Sequence, residues 1–374
     1  MTRVVLNGRF LAQPHTGVQR YARETVLALD ALLAQQGTDL ELVLAVPAGA
    51  NDLVLRHIQV RKLPWLTGHA WEQVTLPLFA RDDLLVNFSY SGPVVKRHQV
   101  ITMHDATVRA MPECFSARYR WWHDALLWLL RNRVASVMTV SEFSAGEIRA
   151  RYGVTNRVVV GREGWSHALA RGDAAATLER FGLKAGEYLL LVGSLKPNKN
   201  IEVVARAMSR IRDLPWTVAV AGAADARIFR AAGAADPRLK FLGFVPDEHL
   251  GALYANAAWF LFPSLYEGFG LPALEAMANG CPVIAANAAA LPEVCGDGAL
   301  YFDPLDPVAL AALLRGPARD ARIRETLRRN GVRRLTHYTW TASAQSVLGE
   351  IRARAGLSGA TPAESPLRAS DVTS

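Results

Sequence analysis

Two carboxylates, Glu267 and Glu275, have seven residues between them, and those residues open with the turn Gly268-Phe269-Gly270-Leu271-Pro272. Pro272 suits a first helical position, where its missing N–H would have had no partner, and Gly280 suits a stop. The spacing therefore predicts a helix over 273–279 that starts at this turn. The first amides of a helix find no acceptor inside it, so those of Phe269, Gly270 and Leu271 would face an anion above the helix start. Glu267 precedes that anion site and Glu275 lies one turn inside the helix. One carboxylate can take hydroxyls at one end of a phosphate-containing ligand, and the other can take them at the opposite end. A nucleotide sugar has this layout, with sugar, diphosphate and ribose in line. The macrodipole alone would favour a glutamate in a first helical turn, and a loop glutamate can simply be solvated. The glycines, the spacing and the following Pro292-Glu293-Val294 segment favour a built site.

A second cation-bearing segment, Val192-Gly193-Ser194-Leu195-Lys196-Pro197-Asn198-Lys199-Asn200, follows an apolar run and precedes a helical pattern over 201–212. A lysine at a helix start is mildly unfavourable electrostatically, so Lys199 is read as reaching a diphosphate. Near the beginning, Thr16-Gly17-Val18-Gln19-Arg20-Tyr21 offers a glycine that permits close backbone approach and, one turn on, Arg20 to meet a phosphate. His104 and Asp105 end an apolar run over 100–103 and are read as pointing into a cleft, although a histidine at a strand end is often only a satisfied polar group.

Positioning these groups requires an alternating architecture. Apolar runs over 3–6, 41–46, 84–88, 100–103, 136–140 and 157–160 alternate with helical patterns over 17–35, 117–133 and 141–151. A second series of strands is expected over 188–192, 216–221, 239–242, 259–262 and 283–285. Strand–helix alternation is the sequence form of a parallel sheet wrapped by helices, so the fold class is α/β with two doubly wound, Rossmann-like domains. The expected bounds are 1–167 for the first domain and 168–338 for the second. The glycine- and alanine-containing stretch 161–186 connects them, and ligands are expected in the cleft near the strand carboxyl ends.

A chain of 374 residues exceeds one ordinary core and fits two domains. No opening stretch combines a basic start, an apolar block and a cleavage site, and no run reaches the ~18 apolar residues of a membrane span. A cytoplasmic protein is expected. Cys114, Cys281 and Cys295 are far apart without metal-type spacing and read as reduced thiols. The net charge of +8 suits nucleotide diphosphates, lipid diphosphates and anionic membranes alike. No zinc-finger spacing, RNP-type aromatic motif or basic heptad region is present, which argues against nucleic acid as a partner.

The segment around Glu267 and Glu275 resembles the EX7E motif of retaining GT-B glycosyltransferases of family 4, a group that includes bacterial polysaccharide mannosyl- and glucosyltransferases. The resemblance runs over most of the chain, from TGVQRYARE through MHD, TVSEFS, VGSLKPNKN and FLGFVPDEHL to the glutamate segment. It implies transfer of a hexose, mannose as first choice, from a GDP- or UDP-sugar to a saccharide linked to a polyprenyl diphosphate, in surface or exopolysaccharide synthesis. It implies front-side substitution through an oxocarbenium-like ion pair and no metal or other cofactor. Glu267 would hold sugar hydroxyls, Glu275 the ribose, and Lys199 with the helix start the leaving diphosphate. His104 would bond a donor-sugar hydroxyl, Asp105 would hold its loop or orient an acceptor hydroxyl, and backbone groups of Phe244 and Val245 would read the base. Relatives often carry arginine where this chain has Ser194 or Asn198. A final helix, 339–355, is implied to return to the first domain, with 341–355 as its helical pattern after Tyr338-Thr339-Trp340. Residues 356–374, small, polar and proline-containing, are expected to be disordered.

The helix expected over 117–133 carries Trp121, Trp122 and Trp128 among arginines. Such a helix could rest on an anionic inner membrane, but consecutive tryptophans cannot all share one face, so a core helix with a basic exposed edge is the favoured reading. A nicotinamide-dependent dehydrogenase would require GxGxxG directly after a strand, which this chain lacks. The remaining alternative is a non-catalytic sugar-nucleotide-binding or scaffold protein of a polysaccharide assembly complex.

Overall fold

The computed structural model describes residues 2–36, 39–169, 172–194, 196–222 and 236–357. Seven parallel strands form the first sheet: β1 (Thr2–Asn7), β2 (Leu40–Pro47), β3 (Gln59–Leu63), β4 (Leu84–Asn87), β5 (Gln99–Thr102), β6 (Ser136–Thr139) and β7 (Val158–Val160), in the order β3-β2-β1-β4-β5-β6-β7. The second sheet has six: β8 (Tyr188–Val192), β9 (Thr217–Ala221), β10 (Leu239–Gly243), β11 (Trp259–Phe262), β12 (Val283–Ala286) and β13 (Ala299–Phe302), in the order β10-β9-β8-β11-β12-β13. β4, β5, β6, β11 and β12 are buried along their whole lengths, because helices cover both faces of each sheet.

Both sheets reverse winding direction beside their first strand, between β1 and β4 in one and between β8 and β11 in the other. At such a switch point the loops leaving neighbouring strands diverge to opposite faces and open a crevice at the carboxyl ends. The two crevices hold Gly17, Asp105, Lys199 and Glu267 among the candidate residues.

Two strands were not expected from the sequence, and both are edge strands. β3 has the polar sequence Gln-Val-Arg-Lys-Leu and is exposed over most of its length, so it lacks apolar periodicity and is defined by its pairing to β2. β13 is a four-residue strand paired only to β12.

The last described helix, Trp340–Arg354, starts one residue before the expected pattern and is capped by Thr339, whose hydroxyl accepts from the Ala342 amide. It lies on the helix Gly17–Gln36 of the first lobe, with the Tyr21 and Trp340 rings 6.4 Å apart, and Glu350 pairs with Arg157 at 3.2 Å. Residues 358–374, most of the stretch expected to be disordered, lie outside the described residues. The tryptophan-rich helix is Ala117–Leu130, shorter than 117–133, and buries His123, Leu126, Leu127 and Leu130. Trp122 turns inward against His69, with rings 4.5 Å apart, whereas Trp121 and Trp128 face outward. No helix among the described residues is long and apolar enough to cross a membrane.

Candidate active site

The switch-point crevices face each other across a cavity of about 570 Å³. Arg9 and Gly17 after β1, Ser91 after β4 and Asp105 after β5 line it from the first lobe. Lys199 after β8 and Glu267 after β11 line it from the second.

Within it, Lys199 Nζ donates to Glu267 Oε1 at 2.6 Å, with both side chains largely withdrawn from solvent and the ammonium 5.7 Å from the Phe262 ring centroid. Lys199 ends a single 3-10 turn, Pro197–Lys199. The turn is anchored by Asn200, whose side-chain amide donates to the carbonyls of Pro263 and Pro304. Gly270, at φ 117°, takes a conformation closed to ordinary L-residues and turns the chain into the helix Leu271–Ala278. Among the described residues, no acceptor takes the backbone amides of Phe269, Gly270 and Leu271. The start of this helix is therefore available to an anion.

The lobes touch at Gly268, next to Glu267. A Cβ there would lie 2.5 Å from the His104 carbonyl oxygen and 2.7 Å from the Asp105 Cβ. Its carbonyl accepts from the hydroxyls of Ser141 at 2.5 Å and Ser144 at 2.8 Å, both at the start of the helix Glu142–Tyr152. Glu293, from the second lobe, caps the same helix: its two carboxylate oxygens accept from the amides of Glu142 and Phe143, each at 3.0 Å. The segments TVSEFS and PEV thus meet across the interface and fix where Glu267 sits.

Glu275 is buried and does not line the cavity. Oε2 accepts from the Tyr254 hydroxyl at 2.9 Å, and Oε1 lies 3.0 Å from His167 Nε2. Burial first, and the Glu275 charge second, hold the Tyr254 phenol protonated, so it remains a donor. The indole N–H of Trp340 approaches His167 Nδ1 at 3.2 Å. An indole nitrogen can only donate, so Nδ1 accepts and the ring proton sits on Nε2, directed at Glu275. His167, in the connection between lobes, carried no motif and was not anticipated.

The other expected residues fall in several places. Asp105 lines the cavity and holds its own loop, accepting from the Thr107 amide at 2.7 Å. Gly17 lines the cavity too, and a Cβ there would meet open space. His104 is buried behind the wall: Nε2 donates to the Phe88 carbonyl at 3.0 Å and Nδ1 lies 3.8 Å from Glu163. Arg20 is bound bidentately by Asp247 of the second lobe, at 2.7 and 2.8 Å, so its guanidinium closes the lobes. Phe244 is exposed and Val245 is buried, next to the Asp247–Asn256 helix that carries Arg20's partner.

A buried polar cluster behind the first-lobe wall was also unforeseen. Glu72, fully buried on the π-helical turn Trp71–Thr75, accepts from Asn7 and Ser91 at 2.9 Å each and pairs with Arg9 at 3.2 Å and His69 at 3.5 Å. It holds Arg9 and His69 against the cavity. No group of three His, Cys, Asp or Glu among the described residues is arranged to hold a metal ion.

Residues 186–319 match the family described as Glycosyl transferases group 1. The chain is 32% identical over 254 residues to the O-antigen chain mannosyltransferase B of Escherichia coli, an alignment covering 64% of this chain and 66% of that protein. It spans from about a fifth to 66% of the length of the first curated relatives it matches. In fold it is similar to the sucrose-phosphate synthase of Thermosynechococcus elongatus, with TM-score 0.75 and 20% identity over 96% of this chain and 100% of that one. Anabaena Alr3699/HepE in complex with UDP-glucose gives TM-score 0.68 and 17% identity over 94% and 100%. Residues 186–319 are thus similar to the group 1 glycosyltransferase domain, within a two-lobed GT-B fold.

Proposed function

We propose that the protein is a retaining glycosyltransferase that moves a hexose, mannose as first choice, from a nucleoside diphosphate sugar to a saccharide in surface polysaccharide synthesis. The observation that carries this reading is the Lys199–Glu267 pair, held in the crevice where both sheets switch direction, beside a helix start with unused amides. Lys199 and the 269–271 amides receive the diphosphate and Glu267 takes sugar hydroxyls. Glu275, beside rather than in that cavity and with a lone pair to spare on each oxygen beyond its Tyr254 and His167 contacts, takes the ribose. Phe244 and Val245 offer their backbone to the base. The acceptor hydroxyl attacks the anomeric carbon on the face from which the diphosphate leaves. The bond from that carbon to the diphosphate breaks, the new glycosidic bond forms, and the hydroxyl proton passes to the departing diphosphate oxygen. Lys199 and the amides stabilise the charge gathering there, so the chemistry needs position and field rather than a metal. The mannosyltransferase relative supports the sugar and the UDP-glucose complex of the structural neighbour supports the donor class. The test is a melting-temperature screen with GDP- and UDP-sugars, since a ligand of the folded state raises the midpoint. A rise with a nucleotide sugar, lost in Glu267→Ala together with turnover, is expected. Binding without turnover in the wild type would instead indicate the scaffold alternative.

The acceptor is carried on a lipid at the inner membrane surface in this reading. Trp121 and Trp128, 74% and 63% exposed and one heptad apart on one helix face, are flanked by exposed Arg118 and Arg133. Amphipathic rings beside cations suit an anionic headgroup region. Flotation with anionic vesicles should recover the wild type and lose Trp121→Glu/Trp128→Glu; equal recovery of both would remove the membrane role.

A further inference from the structure

The interlobe cavity has a wall the chemistry above does not use. On the first-lobe side the helix Ala117–Leu130 presents Tyr119, Trp122 and His123, and the loop after β4 adds Tyr90. The Tyr119 and His123 rings are stacked, 5.8 Å apart at 29°, and Tyr90 lies 5.6 Å from His123. His123 is only 2% exposed, yet neither ring nitrogen has a hydrogen-bond partner among the described residues. Buried polar atoms are nearly always paired, because an unpaired one forfeits its water bonds without replacement. An imidazole left in this state in a cavity wall is suited to a ligand's polar groups.

The chemistry of that ligand follows from the neighbours. Burial lowers the His123 pKa, with Asp124 and Asp105 opposing and Arg109 assisting the shift, so the ring is neutral and offers one donor and one acceptor. A phosphate needs donors only, whereas a hydroxyl uses both roles. Flat aromatic faces alongside suit the C–H face of a pyranose, and Asp105 on the same wall accepts a further hydroxyl. Tyr119, 42% exposed and stacked on the ring, can turn aside to admit it. Accordingly, we infer that His123, with Tyr90, Tyr119 and Trp122, forms a subsite for a neutral sugar ring of the acceptor, and that His123 reads two of its hydroxyl contacts. This rests on the glycosyl-transfer reading and names the acceptor chemistry of the same cavity.

The experiment compares the full chain with His123→Phe and His123→Gln, using a mannose disaccharide and, separately, GDP-mannose and UDP-glucose as probes. Saturation-transfer NMR and calorimetry should show the disaccharide binding the wild type and weakening about tenfold in His123→Phe, with partial recovery in His123→Gln, which keeps a donor and an acceptor. Phenylalanine fills the ring's volume without orphaned nitrogens, so its melting temperature should equal or exceed that of the wild type. A structural histidine would give the opposite: lower stability with disaccharide affinity unchanged, and that result overturns the subsite. So does a disaccharide that binds none of the three proteins. The donor arm is independent. Failure of both nucleotide sugars to bind refutes the transferase reading, while the disaccharide arm still decides the subsite.

Discussion

Replacing Gly268 by alanine adds one methyl group at the point where the lobes touch. The new Cβ would meet the His104 carbonyl oxygen at 2.5 Å, whereas ordinary contact begins near 3.4 Å, so the lobes must part locally by about 0.9 Å. The obstructing atom is backbone, and no rotamer change can move it. Overpacking of this kind costs about 1–3 kcal/mol where the surroundings cannot yield. Here two lobes can separate slightly as rigid bodies, so the strain is released into geometry and the melting temperature should fall by less than about 4 °C. Catalysis has no such escape. Glu267 is the preceding residue, and a misplacement of about 1 Å costs on the order of 100-fold in rate. The Ser141 and Ser144 bonds to the Gly268 carbonyl would lengthen with it. Steady-state sugar transfer with both substrates varied, run beside calorimetric melting, measures the two effects separately. A Gly268→Ala enzyme within threefold of the wild-type kcat/KM would refute the claim that this contact positions Glu267.

Other perturbations probe the remaining supports. Burial pushes the Glu72 carboxyl up, but His69, the Arg9 charge and the bonds from Asn7 and Ser91 outweigh it and hold the pKa below the unfolded value of 4.5. Its contribution to stability is therefore complete above that pH and is lost as pH falls through it toward the folded value. Glu72→Gln strands Arg9 and should cost about 3 kcal/mol at neutral pH. The gap to wild type should narrow in melts below pH 4.5, and a gap constant with pH would contradict this. Glu293→Ala removes both carboxylate bonds to the first amides of the Glu142–Tyr152 helix, worth about 1 kcal/mol, and leaves the Ser141 cap in place. It should enlarge the ligand-free radius of gyration in small-angle scattering; an unchanged radius would show that the cap does not hold the lobes. His167→Ala should raise the donor KM about tenfold with little change in kcat, as expected for a lost bond to a charged group. His167→Gln, retaining a donor toward Glu275, should recover most of it, and identical behaviour of the two variants would exclude the positioning role.

The strand–helix alternation, the turn at 268–272 and the helix it starts could be read in the sequence because each has a local cause: buried β-type runs, a proline at the first helical turn and a glycine at positive φ. β3 left no such trace, since an exposed edge strand is specified by its neighbour. The pairing of Lys199 with Glu267 joins residues far apart in sequence, and the sequence alone assigned them separate roles, Lys199 at the diphosphate and Glu267 at the sugar hydroxyls. Arg20 was read as a phosphate ligand from its place on a helix, but its partner, Asp247, is 227 residues away in the other lobe. His167 and His123 carried no motif. Their roles depend on what the fold brings to each ring nitrogen: the Trp340 indole and Glu275 for one, and no partner among the described residues for the other.

The central claim, a diphosphate lodged between the lobes on Lys199 and the helix start, is tested most directly by calorimetric titration of nucleoside diphosphates into the wild type, Lys199→Arg and Lys199→Ala. A charge-assisted contact in this partly buried crevice is worth about 1.5–3 kcal/mol, so Lys199→Ala should weaken binding on the order of 10- to 100-fold and Lys199→Arg should retain most of it. Equal affinity in all three proteins would contradict the account.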